Sequence, residues 1–193
     1  MHNPAVQDLL DGLPPLERLA ASYAPAATRP LWIGYFALEQ RLADAARDGR
    51  DAIMIQLRLA WWRDRLGEDA ARWPKGEPLL ATLSPWNPAR AALSALVDGY
   101  EALHVGEEGP AALDEARVGV MLALAGLSGL ADLAPVELAA RQWRGLAPSA
   151  HGKAALPRAM RPLALLRGMA LRGEGGSPAL RFFSALRLGL IGR

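Results

Sequence analysis

The densest run of chemically capable side chains is Arg58-Leu59-Ala60-Trp61-Trp62-Arg63-Asp64. Helical neighbours point about 100° apart. Two adjacent tryptophans on a helix therefore face different ways, so one can fill the core while the other stands at an interface or a pocket wall. With Arg58 and Arg63 beside them, the run can form an aromatic wall next to a cationic rim, which suits an apolar ligand with an anionic head. It reads equally as two packing residues among solvated arginines.

A second feature is Asp44-x-x-x-Asp48. Carboxylates four apart share a helical face. Such a pair can hold Mg²⁺, which takes one or two carboxylates and completes its octahedron with water and phosphate oxygens. Arg41, Arg47 and Arg50 are near enough in sequence to neutralise both acids, so a solvated charge lattice is the other reading. Asp64 and Glu68 repeat the spacing and read as surface charge. From Tyr100 onward no two acids stand four apart, so a facing pair is not encoded. His2, His104 and His151 show no ligand spacing, and the chain has no cysteine, which excludes disulfides, thiolate metal sites and a catalytic thiol. There is no Gly-x₄-Gly-Lys-Ser/Thr phosphate loop and no Gly-x-Ser-x-Gly elbow. Gly173, Gly175 and Gly176 precede a helix start, where free backbone N–H groups can receive an anion, or form a plain loop.

Helices must position these groups, because alternating β-branched runs are nearly absent and helical periodicity recurs along the chain. Short helices are expected near 4–12 and 15–23, divided by Pro14-Pro15, and a longer one over 28–47. Asp51 caps the next, in which Ile53, Leu57 and Trp61 share one face with Trp62 and Leu66 beside it. Residues 73–88, with Pro74, Gly76, Pro78, Pro85 and Pro88, read as a loop with weak helical content. Asn87 reads as an N-cap with Pro88 at the first helical position. The helix opened by Pro110 has small residues suited to close approach, which places it at the centre of the bundle. Further helices are expected from Pro135 to Leu146, from Arg158 to Leu171 and after Ser177-Pro178. The expectation is an all-α, single-domain bundle of about eight helices spanning residues 1–193.

The chain has 193 residues and a net charge of only +2, which conceals a division. Residues 1–140 carry 12 basic and 19 acidic residues, a net of −7; residues 141–193 carry 10 basic residues and Glu174, a net of +9. Of the basic residues all but Lys75 and Lys153 are arginine, whose planar fork grips carboxylates and phosphates. No signal-peptide pattern stands in residues 1–20, and the longest uncharged run, Val118 to Ala131, is shorter than the ~20 residues of a membrane span. A cytoplasmic protein is expected. Arg181, Arg187 and Arg193 flank Leu180, Phe183, Leu186 and Leu190, which suits either peripheral contact with an anionic membrane or packing into the bundle. Nucleic acid is not an expected partner, since no recognition motif is present and the acidic body repels phosphate.

Several of these residues resemble a known family. Arg29, Pro30-Leu31, Phe36-Ala37-Leu38-Glu39 and the run from Arg58 to Leu66 resemble the opening half of the squalene/phytoene synthase family. Ala95-Leu96-Val97-Asp98-Gly99-Tyr100, Leu156-Pro157, Arg161-Pro162-Leu163 and the ending Gly189-Leu190-Ile191-Gly192-Arg193 are compatible with it. The likeness runs from about Leu16 and is strongest to a divergent branch that includes a mitochondrial respiratory complex I assembly factor and its bacterial relatives. It implies a shortened isoprenoid-synthase-like bundle. The family's enzymes condense two prenyl diphosphates head to head, and two aspartate-rich motifs hold Mg²⁺ on the diphosphate.

This sequence departs from that pattern. Aligned through Phe36-Ala37-Leu38, the first motif falls on Ala43, Asp44 and Arg47, where only Asp44 matches. The second motif is expected around Leu138–Ala147, where Arg141, Gln142, Trp143 and Arg144 stand. The resemblance thus implies a pseudoenzyme that binds a prenyl or lipid ligand, or a protein partner as an assembly protein. Phe36, Arg58, Trp61 and Trp62 would wall its ligand pocket. The alternative is an active Mg²⁺-dependent prenyl-diphosphate transferase with Asp44 and Asp48 as catalytic and metal-binding residues.

Overall fold

The computed structural model describes residues 4–47, 49, 51–105, 109–148 and 155–172. Asp48, Arg50, His151 and the helix expected after Ser177 lie outside the described residues. Among the described residues there are nine α-helices and no strand, so the chain is all-α. No helix is long and apolar enough to cross a membrane, again among the described residues.

Helices α1 (Pro4–Gly12) and α2 (Pro15–Ser22) divide at the proline pair, because Pro14 lacks the N–H a continuing helix needs. Helix α3 (Arg29–Ala45) is buried over eight consecutive residues, Leu31 to Leu38. These residues are apolar all round the helix, which leaves no face for solvent. Helix α4 (Ala52–Gly67) starts where expected, with Asp51 Oδ1 accepting from the backbone N–H of Ile53 at 2.8 Å and of Met54 at 3.2 Å. Such a cap stabilises the helix by about 1 kcal/mol.

Between α4 and the next long helix the structure differs from the expected loop. A short helix, α5 (Pro78–Leu83), buries Leu79, Leu80 and Leu83, and a 3₁₀ helix over Ser84–Ala89 buries Trp86 completely. Pro78 and Pro85 stand in first turns, where the missing N–H costs nothing. Asn87 does not cap a helix. Its side chain bridges back, accepting from Ala70 N at 2.9 Å and donating to Asp69 at 3.1 Å. Helix α6 (Arg90–Val105) begins only after the 3₁₀ segment.

Helices α7 (Gly109–Leu127), α8 (Ala134–Trp143) and α9 (Arg161–Ala170) complete the bundle. Helix α3 packs on α6, α6 on α7, α7 on α8, α8 on α9, α9 on α2 and α2 on α3, which closes a ring; α4 lies against α6 and α3. The central position belongs to α3 rather than to α7, since α3 also touches α1 and α5. The close approach expected of α7's small residues is made by α6. A Cβ built on Gly99 would lie 2.9 Å from Leu113 Cα, whereas Gly119 and Gly126 of α7 have open space.

A cleft between α3 and α4

Helix α4 sorts its two tryptophans to different environments. Trp62 is 4% exposed and joins Ile55, Leu59 and Leu66 in the core; Trp61 is 41% exposed. Their rings meet edge to face, with centroids 4.9 Å apart. The two tryptophans diverge as adjacent helical positions must, and packing decides which face is buried. Ile53 and Leu57, which share an arc with Trp61, point outward, and the core takes Ile55, Leu59, Trp62 and Leu66.

The outer edge of the tryptophan pair walls a cleft of about 430 Å³, lined by Arg41, Asp44, Arg58, Trp61, Trp62 and Glu77. Helix α3 supplies Arg41 and Asp44, α4 supplies Arg58 and both tryptophans, and Glu77 caps α5 by accepting from Leu79 N at 3.3 Å. Asp44 is paired with Arg47, and Glu77 lies 3.9 Å from Arg41. Arg58 makes no ion pair among the described residues. The structure thus joins Arg58, Trp61, Trp62 and Asp44. Phe36 stands apart in the core, 3% exposed, with its ring centroid 5.5 Å from Trp32 and 5.2 Å from Tyr35.

The resemblance implies Mg²⁺ here, and the donor set can be tested against it. Both described carboxylates of the cleft already face guanidiniums, Asp44 that of Arg47 and Glu77 that of Arg41, and Arg58 adds a further positive charge. Among the described residues no group of three or more His, Asp or Glu comes together. These residues do not fit a divalent cation; an aromatic wall beside a guanidinium that has no ion pair among the described residues suits an amphiphile with an anionic head.

The place expected for the second aspartate motif lies on α8, and its arginines are engaged. Arg141 donates to Glu115 at 2.8 Å and to Glu137 at 3.1 Å; Arg144 donates to Asp114 at 2.7 Å and stacks over the Trp143 ring at 5.0 Å. Gln142 is 2% exposed, and its amide donates to the Pro148 carbonyl at 2.9 Å.

Sequence reasoning missed a polar cluster inside the ring. Glu39 Oε1 accepts from Tyr35 Oη at 3.0 Å and from Arg117 Nε at 2.8 Å. Its Oε2 accepts from Tyr100 Oη at 2.5 Å and from Arg117 Nη2 at 3.1 Å. Arg117 also donates to Asp114 at 3.2 Å, which connects the cluster to Arg144. Burial first, and then the charge of Glu39, hold both phenols above the ordinary tyrosine range. Burial alone would lower the Arg117 guanidinium, but its bonds to Glu39 and the carboxylate charge outweigh that and raise it. The available signal was a charged residue, Glu39, one turn after Tyr35 in an otherwise apolar stretch.

No family model, curated protein or solved structure matches this chain. What the structure defines is an all-helical ring with an aromatic and cationic cleft on its outer side.

Proposed function

We propose that the chain is a divergent, shortened relative of the squalene/phytoene synthases that does not transfer prenyl groups. In this reading it is a binding protein on an isoprenoid-synthase-like bundle, and its α3–α4 cleft holds an amphiphile with an anionic head. One observation carries the reading: the cleft joins Trp61, Trp62 and Arg58, which has no ion pair among the described residues, while its described acids are already paired. The ion pairs of Arg141 and Arg144 with α7 support it, because they occupy the place where a second metal-binding motif is expected.

The test uses farnesyl and geranylgeranyl diphosphate with Mg²⁺ as substrates and farnesyl phosphate as a binding probe followed by tryptophan fluorescence. No condensation product is expected. Saturable quenching is expected, weakened about tenfold by Arg58→Gln, the scale of one charge-assisted hydrogen bond. Mg²⁺-dependent product that Asp44→Ala abolishes would overturn this reading in favour of an active prenyl-diphosphate transferase.

A further inference from the structure

The cleft holds a second guanidinium that the ligand reading leaves without a role. Arg41 stands on α3 and Arg58 on α4, so each of the two helices that form the cleft carries one. The Arg58 guanidinium has no hydrogen bond or ion pair among the described residues. That of Arg41 lies 3.9 Å from Glu77 Oε1, beyond hydrogen-bond distance, and this oxygen already accepts from Leu79 N at 3.3 Å. Other arginines spend their donors inside the protein. Arg63, Arg117, Arg141 and Arg144 each donate to a carboxylate on another helix. Net charge does not make the cleft an anion site, since Asp44 and Glu77 share its lining with Arg41 and Arg58. What distinguishes the four groups is which of them have hydrogen bonds left to give. Asp44 is held by Arg47 and Glu77 by the first turn of α5, whereas both guanidiniums keep their N–H donors. Asp64, an exposed acid of α4, lies about 9 Å along the helix axis from Arg58 and does not line the cleft.

Two forks on two helices favour one kind of head group. The two oxygens of a carboxylate lie in one plane, and a single guanidinium satisfies both. A phosphomonoester presents three strong acceptor oxygens in three directions, so it can meet a fork from each wall at once. The indoles of Trp61 and Trp62 then take the first part of its chain. The guanidiniums supply the positive charge, so the head needs no divalent cation. We propose that Arg41 and Arg58 clamp the phosphate of a phosphomonoester amphiphile between α3 and α4, without a metal ion. This rests on the ligand reading above; it names the head group and the second residue that holds it.

The test follows tryptophan fluorescence of the full chain with three ligands that share one chain: farnesyl phosphate, farnesoic acid and farnesol. Each is titrated in EDTA and in Mg²⁺. Farnesyl phosphate is expected to bind at least about tenfold tighter than the other two, and equally with and without Mg²⁺. Arg41→Gln is expected to weaken farnesyl phosphate about tenfold and to leave farnesol unchanged. Glu77→Gln keeps the oxygen that caps α5 and removes the charge that faces Arg41, so it is expected to strengthen farnesyl phosphate binding several-fold. An Arg41–Glu77 pair that only joined α3 to α5 would give changes of the same sign in both variants. Inorganic phosphate is expected to compete at least about a hundredfold more weakly than farnesyl phosphate, because it lacks the chain. Farnesoic acid bound as tightly as farnesyl phosphate, tight binding only with Mg²⁺, an Arg41→Gln variant that binds like the parent, or changes of one sign in the two variants would overturn the clamp and leave the amphiphile reading standing. Failure of all three ligands to bind, or displacement by inorganic phosphate at equal concentration, would overturn the amphiphile reading itself and the clamp with it.

Discussion

Glu39 is the residue on which most of the interior polar chemistry converges. It accepts from two tyrosines and from Arg117, and its side chain is 15% exposed against 18% for Arg117. Removing one partner of such a pair leaves the other buried without compensation. Glu39→Ala is expected to cost about 3–5 kcal/mol in denaturant unfolding. Arg63 provides the contrast, because its partners Asp98 and Glu101 are 57% and 37% exposed. Arg63→Ala is expected to cost less than about 1 kcal/mol, and equal losses for the two variants would contradict this assignment. The tyrosines supply a pH test. Tyr35 and Tyr100 have phenols raised by burial and by Glu39, so the folded chain keeps these protons at pH values where the unfolded chain releases them. Their contribution to stability is fully present below the unfolded pKa, about 10, and falls as the pH rises above it. Ultraviolet titration is expected to show Tyr35 and Tyr100 ionising only as the chain unfolds at alkaline pH.

Among the elements, the contact of α6 with α7 is set by the absence of a side chain at one position. Leu113 Cα occupies the space a Cβ on Gly99 would need. Gly99→Ala is expected to destabilise the protein by about 1–3 kcal/mol despite alanine's better helix propensity, because backbone must move. Gly119→Ala, with open space on the exposed side of α7, is expected to stabilise by about 0.5–1 kcal/mol. Thermal melts of the two variants should therefore shift in opposite directions. Helix α4 shows how an element's periodicity can leave its orientation open. Ile53, Leu57 and Trp61 form one apolar face and Ile55, Leu59, Trp62 and Leu66 another, and only packing against α6 and α3 decides between them.

At the scale of the whole molecule, the ring closes through contacts between the two ends of the described chain. Trp32, fully buried in α3, donates its indole N–H to the Ala159 carbonyl at 2.9 Å, across 127 residues of sequence. Trp86 donates to Leu31 at 3.2 Å and ties the proline-rich segment to the same helix. Trp32→Phe removes a buried donor and leaves a void, and is expected to lower stability by about 2–4 kcal/mol. Because α3 belongs to the single buried cluster, unfolding is expected to remain one transition, with near-ultraviolet and far-ultraviolet circular dichroism falling together. Separate transitions would show that the segment around α9 is an independent unit. The charge division also acquires a structural meaning. Arg141 and Arg144, from the basic section, neutralise Glu115 and Asp114 of the acidic one across the α7–α8 contact.

The helical class was legible in the sequence because local signals dominate it. Proline pairs, the Asp51 cap and 3.6-residue periodicity act over a few residues and need no partner. The tryptophan–arginine run was legible for the same reason, since adjacent helical positions must diverge whatever surrounds them. The sequence could not say which face of α4 is buried, that residues 73–88 fold over α3, or that the small residue of the closest helix contact belongs to α6. Nor did it disclose Glu39 as the acceptor of Tyr35, Tyr100 and Arg117, contributed by α3, α6 and α7. Those outcomes depend on contacts between residues distant in the chain, where geometry in three dimensions selects among faces and partners that are locally equivalent.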